Sequence, residues 1–136
     1  MTMPDELQIQ RELVADLLSR LSMKSVKGRE TAIEALSVMT EDETWRADEL
    51  IRQGGIEILR GLLREKNPHI VLSALEVIIA IAASGQEEDL ISDGVIASLD
   101  TMQDARNPAI RKKAGEALAL LQPEVEELVA PPDDDY

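Results

Sequence analysis

Carboxylates are the only side chains numerous enough in this sequence to do chemistry together. The chain carries 27 acidic and 14 basic residues in 136, with no Cys and one His, His69. Without a thiol there is no disulfide, no thiolate zinc site and no Cys nucleophile. His69 stands just behind an Asn-Pro pair that opens a helix, with no second His or Cys to join it, so a surface position is favoured over a catalytic or metal-binding one. The acidic runs at 41–43 and 87–89 lack the alternate spacing and central Gly of a calcium loop and suit helix N-termini, where negative charge meets the dipole. KGRET (27–31) lacks the Gly-Lys-Ser/Thr ending of a phosphate loop. No catalytic, cofactor-binding or metal-binding constellation emerges, and the expectation is a protein that is not an enzyme.

One carboxylate pattern is regular. Glu76 closes the segment NPHIVLSALE, Glu116 closes NPAIRKKAGE forty residues later, and Glu34 holds the same place in a weaker, earlier copy. A row of carboxylates, one per repeat, would recruit the Lys or Arg side chains of a basic partner segment through charge-assisted hydrogen bonds. The competing reading is a good helix former on a solvated face, with Glu116 paired to Lys112 or Lys113. Ser73, His69 and Lys113 fall beside the acidic row at helical spacing and complete the candidate protein-binding set.

The elements that must carry this row follow from the repeat. Residues 49–82 laid over 89–122 agree at ten of 34 positions, where average residue usage gives roughly two. Each copy predicts three helices. A short one ends at Gly54 or Gly94, where positive φ is cheap. A second follows over IEILRGLLRE or IASLDTMQD. A third is opened by Asn67-Pro68 or Asn107-Pro108, with Asn as N-cap and Pro at the first helical position. The third helices bury Ile70, Ala74, Val77, Ile78 and Ile81, and Ile110, Ala114, Ala117, Leu118 and Leu121, at i, i+4, i+7, i+8, i+11. The earlier copy, offset by 42, has its second helix over 14–21 and its third over 25–39, with Gly28, Ala32, Ala35, Leu36 and Met39 on the same stripe. Its first helix is missing or reduced to part of PDELQIQ. Trp45 is expected to pack against Ala35 and Met39.

A period near 40, three helices per unit, ELIRQGGIEILRGLL with its Gly at the first bend and NPHIVLSALEVIIAIA as the long third helix together resemble the armadillo repeat family. The resemblance implies an all-α, right-handed α-solenoid superhelix. Its units span about 10–42, 43–83 and 84–122, after an N-terminal extension or partial cap (1–9) and before a capping helix (123–130) and an acidic tail (131–136). It also implies that the third helices line a concave groove for partner segments. The Trp and Asn of importin-type armadillo ladders are replaced here by Glu34, Glu76 and Glu116 and by Val38, Ala80 and Leu120. The implied function is therefore a protein-binding adaptor or scaffold without the importin-type clamp. Two alternatives remain: stacking through solenoid end faces, where Leu13, Leu17 and Leu21 would be exposed, in a homo-oligomer or larger complex; and a regulatory or exchange-factor-like co-chaperone role on an enzyme partner. DDDY at the C-terminus reads as a solubilising tail, or else as a docking motif anchored by Tyr136.

A net charge of −13 disfavours nucleic acid and anionic membranes, which need a positive footprint, and favours a basic protein partner. The N-terminus has neither a basic region nor an apolar core, and the longest apolar run, 77–83, is far too short to span a bilayer. A cytoplasmic or nuclear location is expected, with no cofactor.

Overall fold

In a computed structural model the chain is described over residues 6–43, 45–92 and 94–121; the expected capping helix at 123–130 and the acidic tail lie outside that range. Eight helices follow in order among the described residues: α1 (Glu6–Leu21), α2 (Val26–Met39), α3 (Ala47–Arg52), α4 (Gly55–Leu62), α5 (Pro68–Ala83), α6 (Glu87–Ser92), α7 (Val95–Met102) and α8 (Pro108–Leu121). The helices form an all-α solenoid in which α2, α5 and α8 lie side by side, with α1, α4 and α7 packed behind them.

Local chemistry sets the boundaries. The Asn67 carboxamide accepts from the His69 and Ile70 amides at 2.8 and 3.3 Å, and Asn107 does the same for Ala109 and Ile110 at 2.8 and 3.4 Å. Ser25 serves α2, its hydroxyl accepting from Gly28 N at 3.0 Å. Each cap satisfies N–H groups that have no partner within the helix. Gly54 and Gly94 adopt φ of 81° and 77°, turning the short helix into the next at a conformation most side chains resist. Gly55 is required for a different reason. A Cβ there would fall 2.4 Å from Leu50 Cδ1 and 2.8 Å from its carbonyl oxygen.

The core runs the length of the solenoid, and α5 is its centre. Ile70, Val71, Ala74, Leu75, Val77, Ile78, Ile81 and Ala82 are all buried, the larger ones contributing roughly 1.5–3 kcal/mol each. Such a helix is apolar around most of its circumference, because it packs against α2 on one side, α8 on the other and α4 behind.

The expected stripe holds in α5 in full and in α8 except at Ile110, which is half-buried. In α2 it is displaced. Ala32 and Leu36 are buried as expected, but Ala35 is exposed and Gly28 and Met39 are intermediate, while Ile33 and Ser37 are buried instead. The displacement accompanies the packing of α2 against both α1 and α5, which leaves Ala35 lining an open depression with Ile9 and Leu13 of α1. Trp45 is half-buried against the core with its indole N–H enclosed and without a partner, although Ala35, its expected neighbour, faces solvent. Leu21, expected on an exposed end face, is 3 % exposed; Leu13 is 49 % exposed and Leu17 half-buried. Helix α1 runs unbroken from Glu6, where the sequence predicts a missing or partial first helix.

Candidate functional site

The third helices α2, α5 and α8 bring the acidic row together. Glu34, Glu76 and Glu116 are all exposed, each one rung on from the last, and His69 is exposed at the start of α5. Ser73 and Lys113, on the same helices as Glu76 and Glu116, are intermediate. The remaining positions of the face alternate small and apolar groups: Val38 is 67 % and Leu120 39 % exposed, and Ala80 is intermediate.

The rungs are not equivalent. One oxygen of Glu76 accepts from the Ser37 hydroxyl on α2 at 2.7 Å, and the other lies 3.7 Å from Lys113 Nζ on α8. A single carboxylate thus ties its helix to both neighbours. Glu76 is therefore more than a helix former on a solvated face. The Lys113 pair is open to water, its partners 33 % and 46 % exposed, so it is worth no more than about 1 kcal/mol. It nevertheless places a cation in the middle of the acidic row. Glu34 and Glu116 make no ion pair with the described residues, so the expected pairing of Glu116 with Lys112 or Lys113 does not form. The face therefore carries two free carboxylates around one that is partly neutralised.

A second polar assembly, absent from sequence reasoning, sits where α1 meets α3. Arg11 donates from Nε and Nη2 to the two carboxylate oxygens of Glu49 at 3.1 and 3.3 Å, and Arg52 adds Nη1 at 2.9 Å. Glu49 is 1 % exposed. The forked guanidinium matches the carboxylate geometry, and the hydrogen bond from Arg11 is the main influence holding the Glu49 carboxyl below its ordinary range, against the opposing effect of desolvation. Asp48 is likewise held down, first by its hydrogen bond from Arg46. The Gln10 side chain accepts from the Arg46 amide, and Gln53 donates to the Arg11 carbonyl at 3.1 Å. Further along, Arg29 pairs with Glu65 at 2.9 Å while also donating to the Met23 and Lys24 carbonyls. These groups hold units together and do not line the third-helix face. A Glu in the first turn of a short helix reads from sequence as a dipole complement; only its burial reveals more.

Among the described residues no cluster of three or more His, Asp or Glu side chains could hold a metal ion, and no helix is long and apolar enough to cross a membrane.

No protein-family model matches the chain, and neither does any curated protein sequence. Solved structures do. A designed armadillo repeat protein in complex with the peptide (KR)4 superposes with a TM-score of 0.74 at 22 % identity, over 84 % of this chain and 48 % of that one. A set of computationally designed armadillo repeat proteins for modular peptide recognition gives 0.74 at 23 %, over 85 % and 51 %. Another designed armadillo repeat protein gives 0.72 at 22 %, over 85 % and 51 %. The chain thus spans about half the length of these proteins, and at such identities the likeness concerns architecture. Together with the forty-residue repeat, the glycine bends and the Asn-Pro caps, it establishes that this chain is an all-α solenoid with the armadillo repeat fold.

Proposed function

We propose that the chain is a non-enzymatic binding module whose third-helix face takes an extended, basic segment of a partner protein. The observation that carries this reading is the exposure of Glu34, Glu76 and Glu116 on three adjacent helices. Packed helices lie about 8–10 Å apart, and an extended chain advances about 3.3–3.6 Å per residue. One rung therefore corresponds to two or three residues of ligand, so the best segment presents Lys or Arg at alternate or every third position. Ser73 and His69 offer donor groups beside the Glu76 rung, suited to backbone carbonyls of the bound segment, whereas Lys113, paired with Glu76, opposes a basic ligand. A similarly folded designed protein is complexed with a peptide of alternating Lys and Arg, which supports the same chemistry here.

The test is titration of a fluorescent (KR)4 peptide at low salt. Glu34→Lys with Glu116→Lys, the two rungs without structural partners, should weaken binding at least tenfold while far-UV circular dichroism stays unchanged. Equal affinity in the folded double variant would sink the proposal.

A further inference from the structure

The repeat register compares like positions in successive units, 42 residues apart and then 40. Gly55, Leu59 and Val77 of the middle unit are buried, and so are their counterparts Val95, Leu99 and Ala117. In the first unit the same positions hold Leu13, which is 49 % exposed, Leu17, half-buried, and Ala35, exposed. Apolar positions that are interior in two units thus reach the surface on α1 and α2.

Two depressions of about 410 Å³ each follow the seam between these helices. One is lined by Ile9, Leu13, Val38 and Met39, the other by Leu17, Gly28 and Thr31, and they share Ala35. The start of α1 therefore lies beside the end of α2, and Leu13 and Ala35 fall near the middle of the seam. Its two ends differ in charge. Arg20, Lys24 and Lys27 are exposed at one, where Arg20 pairs with Asp16 at 2.9 Å, and Glu41, Asp42 and Glu43 are exposed at the other.

A face with an apolar middle and oppositely charged ends complements a copy of itself turned end for end. We infer that the α1–α2 faces of two copies pack together about a two-fold axis that crosses the seam near Leu13 and Ala35. Ile9 of one protomer then comes over Leu17 of the other, and each Lys24–Lys27 end meets a Glu41–Glu43 end. The same patch serves both copies, so the assembly closes at two. Helices of this length present a face about 24 Å long and about 20 Å wide, at the small end of interfaces that hold a specific dimer. Association is therefore reversible and needs high concentration. The charge of −13 on each chain opposes it only at long range, because physiological salt screens beyond about 8 Å, whereas the paired ends are in contact.

Sedimentation velocity on the full chain at physiological salt, from micromolar to millimolar concentration, tests the inference. The wild type should pass from monomer to dimer and stop there. Leu13→Glu should stay monomeric with its helical circular dichroism intact; Leu13 lies on α1, outside the acidic row, so this variant leaves the third-helix face untouched. Lys24→Glu with Lys27→Glu makes both ends of the face acidic, and Glu41→Lys with Glu43→Lys makes both basic. Each reversal sets its new charge at the end of α2 that suits the helix dipole, so the fold is kept. Each double variant alone should dimerise about tenfold more weakly or worse, and an equal mixture of the two should recover dimers at the wild-type level. A wild type that is monomeric throughout, as it would be if residues 1–5 or 122–136 of the same chain occupied the face, would overturn the inference. So would growth beyond the dimer, a Leu13→Glu chain that still dimerises, or a mixture no tighter than its components.

Discussion

The two junctions of the solenoid are built from different forces. Between α1–α2 and α3–α5 the contact is keyed by polar groups: Arg11 on Glu49, Gln10 on the Arg46 amide, Arg29 on Glu65 and Ser37 on Glu76. Between α5 and α8 it is dominated by aliphatic packing around Val71, Leu75 and Ile78, with Lys113–Glu76 crossing at 3.7 Å. Apolar packing contributes more free energy but tolerates shifts in register. A buried carboxylate held by two guanidiniums tolerates none, because moving it strands a charge. The first junction is thus specific and the second strong.

The largest effect should come from the apolar junction. Leu75→Ala removes a fully buried side chain and should cost about 2–5 kcal/mol in urea unfolding, with its dependence on pH unchanged. The polar junction should respond to acid instead. Glu49 ionises below its ordinary value of 4.5 and Asp48 below 3.8, so the unfolded chain binds the first protons as pH falls. Their stabilisation is complete above the ordinary carboxylate range and is lost as pH drops through the depressed values. Glu49→Gln should flatten that acid-side decline; an unaltered pH profile would mean that the clamp contributes nothing. Ser37→Ala, which deprives Glu76 of a donor, should cost about 1 kcal/mol. Smallest in stability is Lys113→Ala, with a change under about 1 kcal/mol. It should nevertheless tighten (KR)4 binding severalfold by releasing the middle carboxylate, and a weaker complex would argue against the acidic row.

What could be read from the sequence follows the same division. Helix starts, glycine bends and the stripes of α5 and α8 depend on neighbours within a few residues or on positions buried from both sides, so periodicity reveals them. Ala35 was legible as apolar but not as exposed, because its burial depends on what packs before it. Ser37, Glu49 and the double tie of Glu76 depend on partners 37 to 39 residues away, and no local pattern encodes them. The exposed rungs were found because they recur. The second role of one rung was missed because it does not.

The central position of α5 also bears on the order of folding. It contacts α2, α4, α6 and α8, none more than one repeat away, which favours nucleation in the middle unit and nearest-neighbour propagation. Once the middle unit forms, structure spreads in two directions along different gradients. Growth toward the C-terminus is driven mainly by desolvation, whereas growth toward the N-terminus must also align Arg11 with an ionised, buried Glu49. Acid should therefore slow the docking of α1 while leaving that of α8 untouched, so that a partly folded chain lacking its first unit accumulates at low pH.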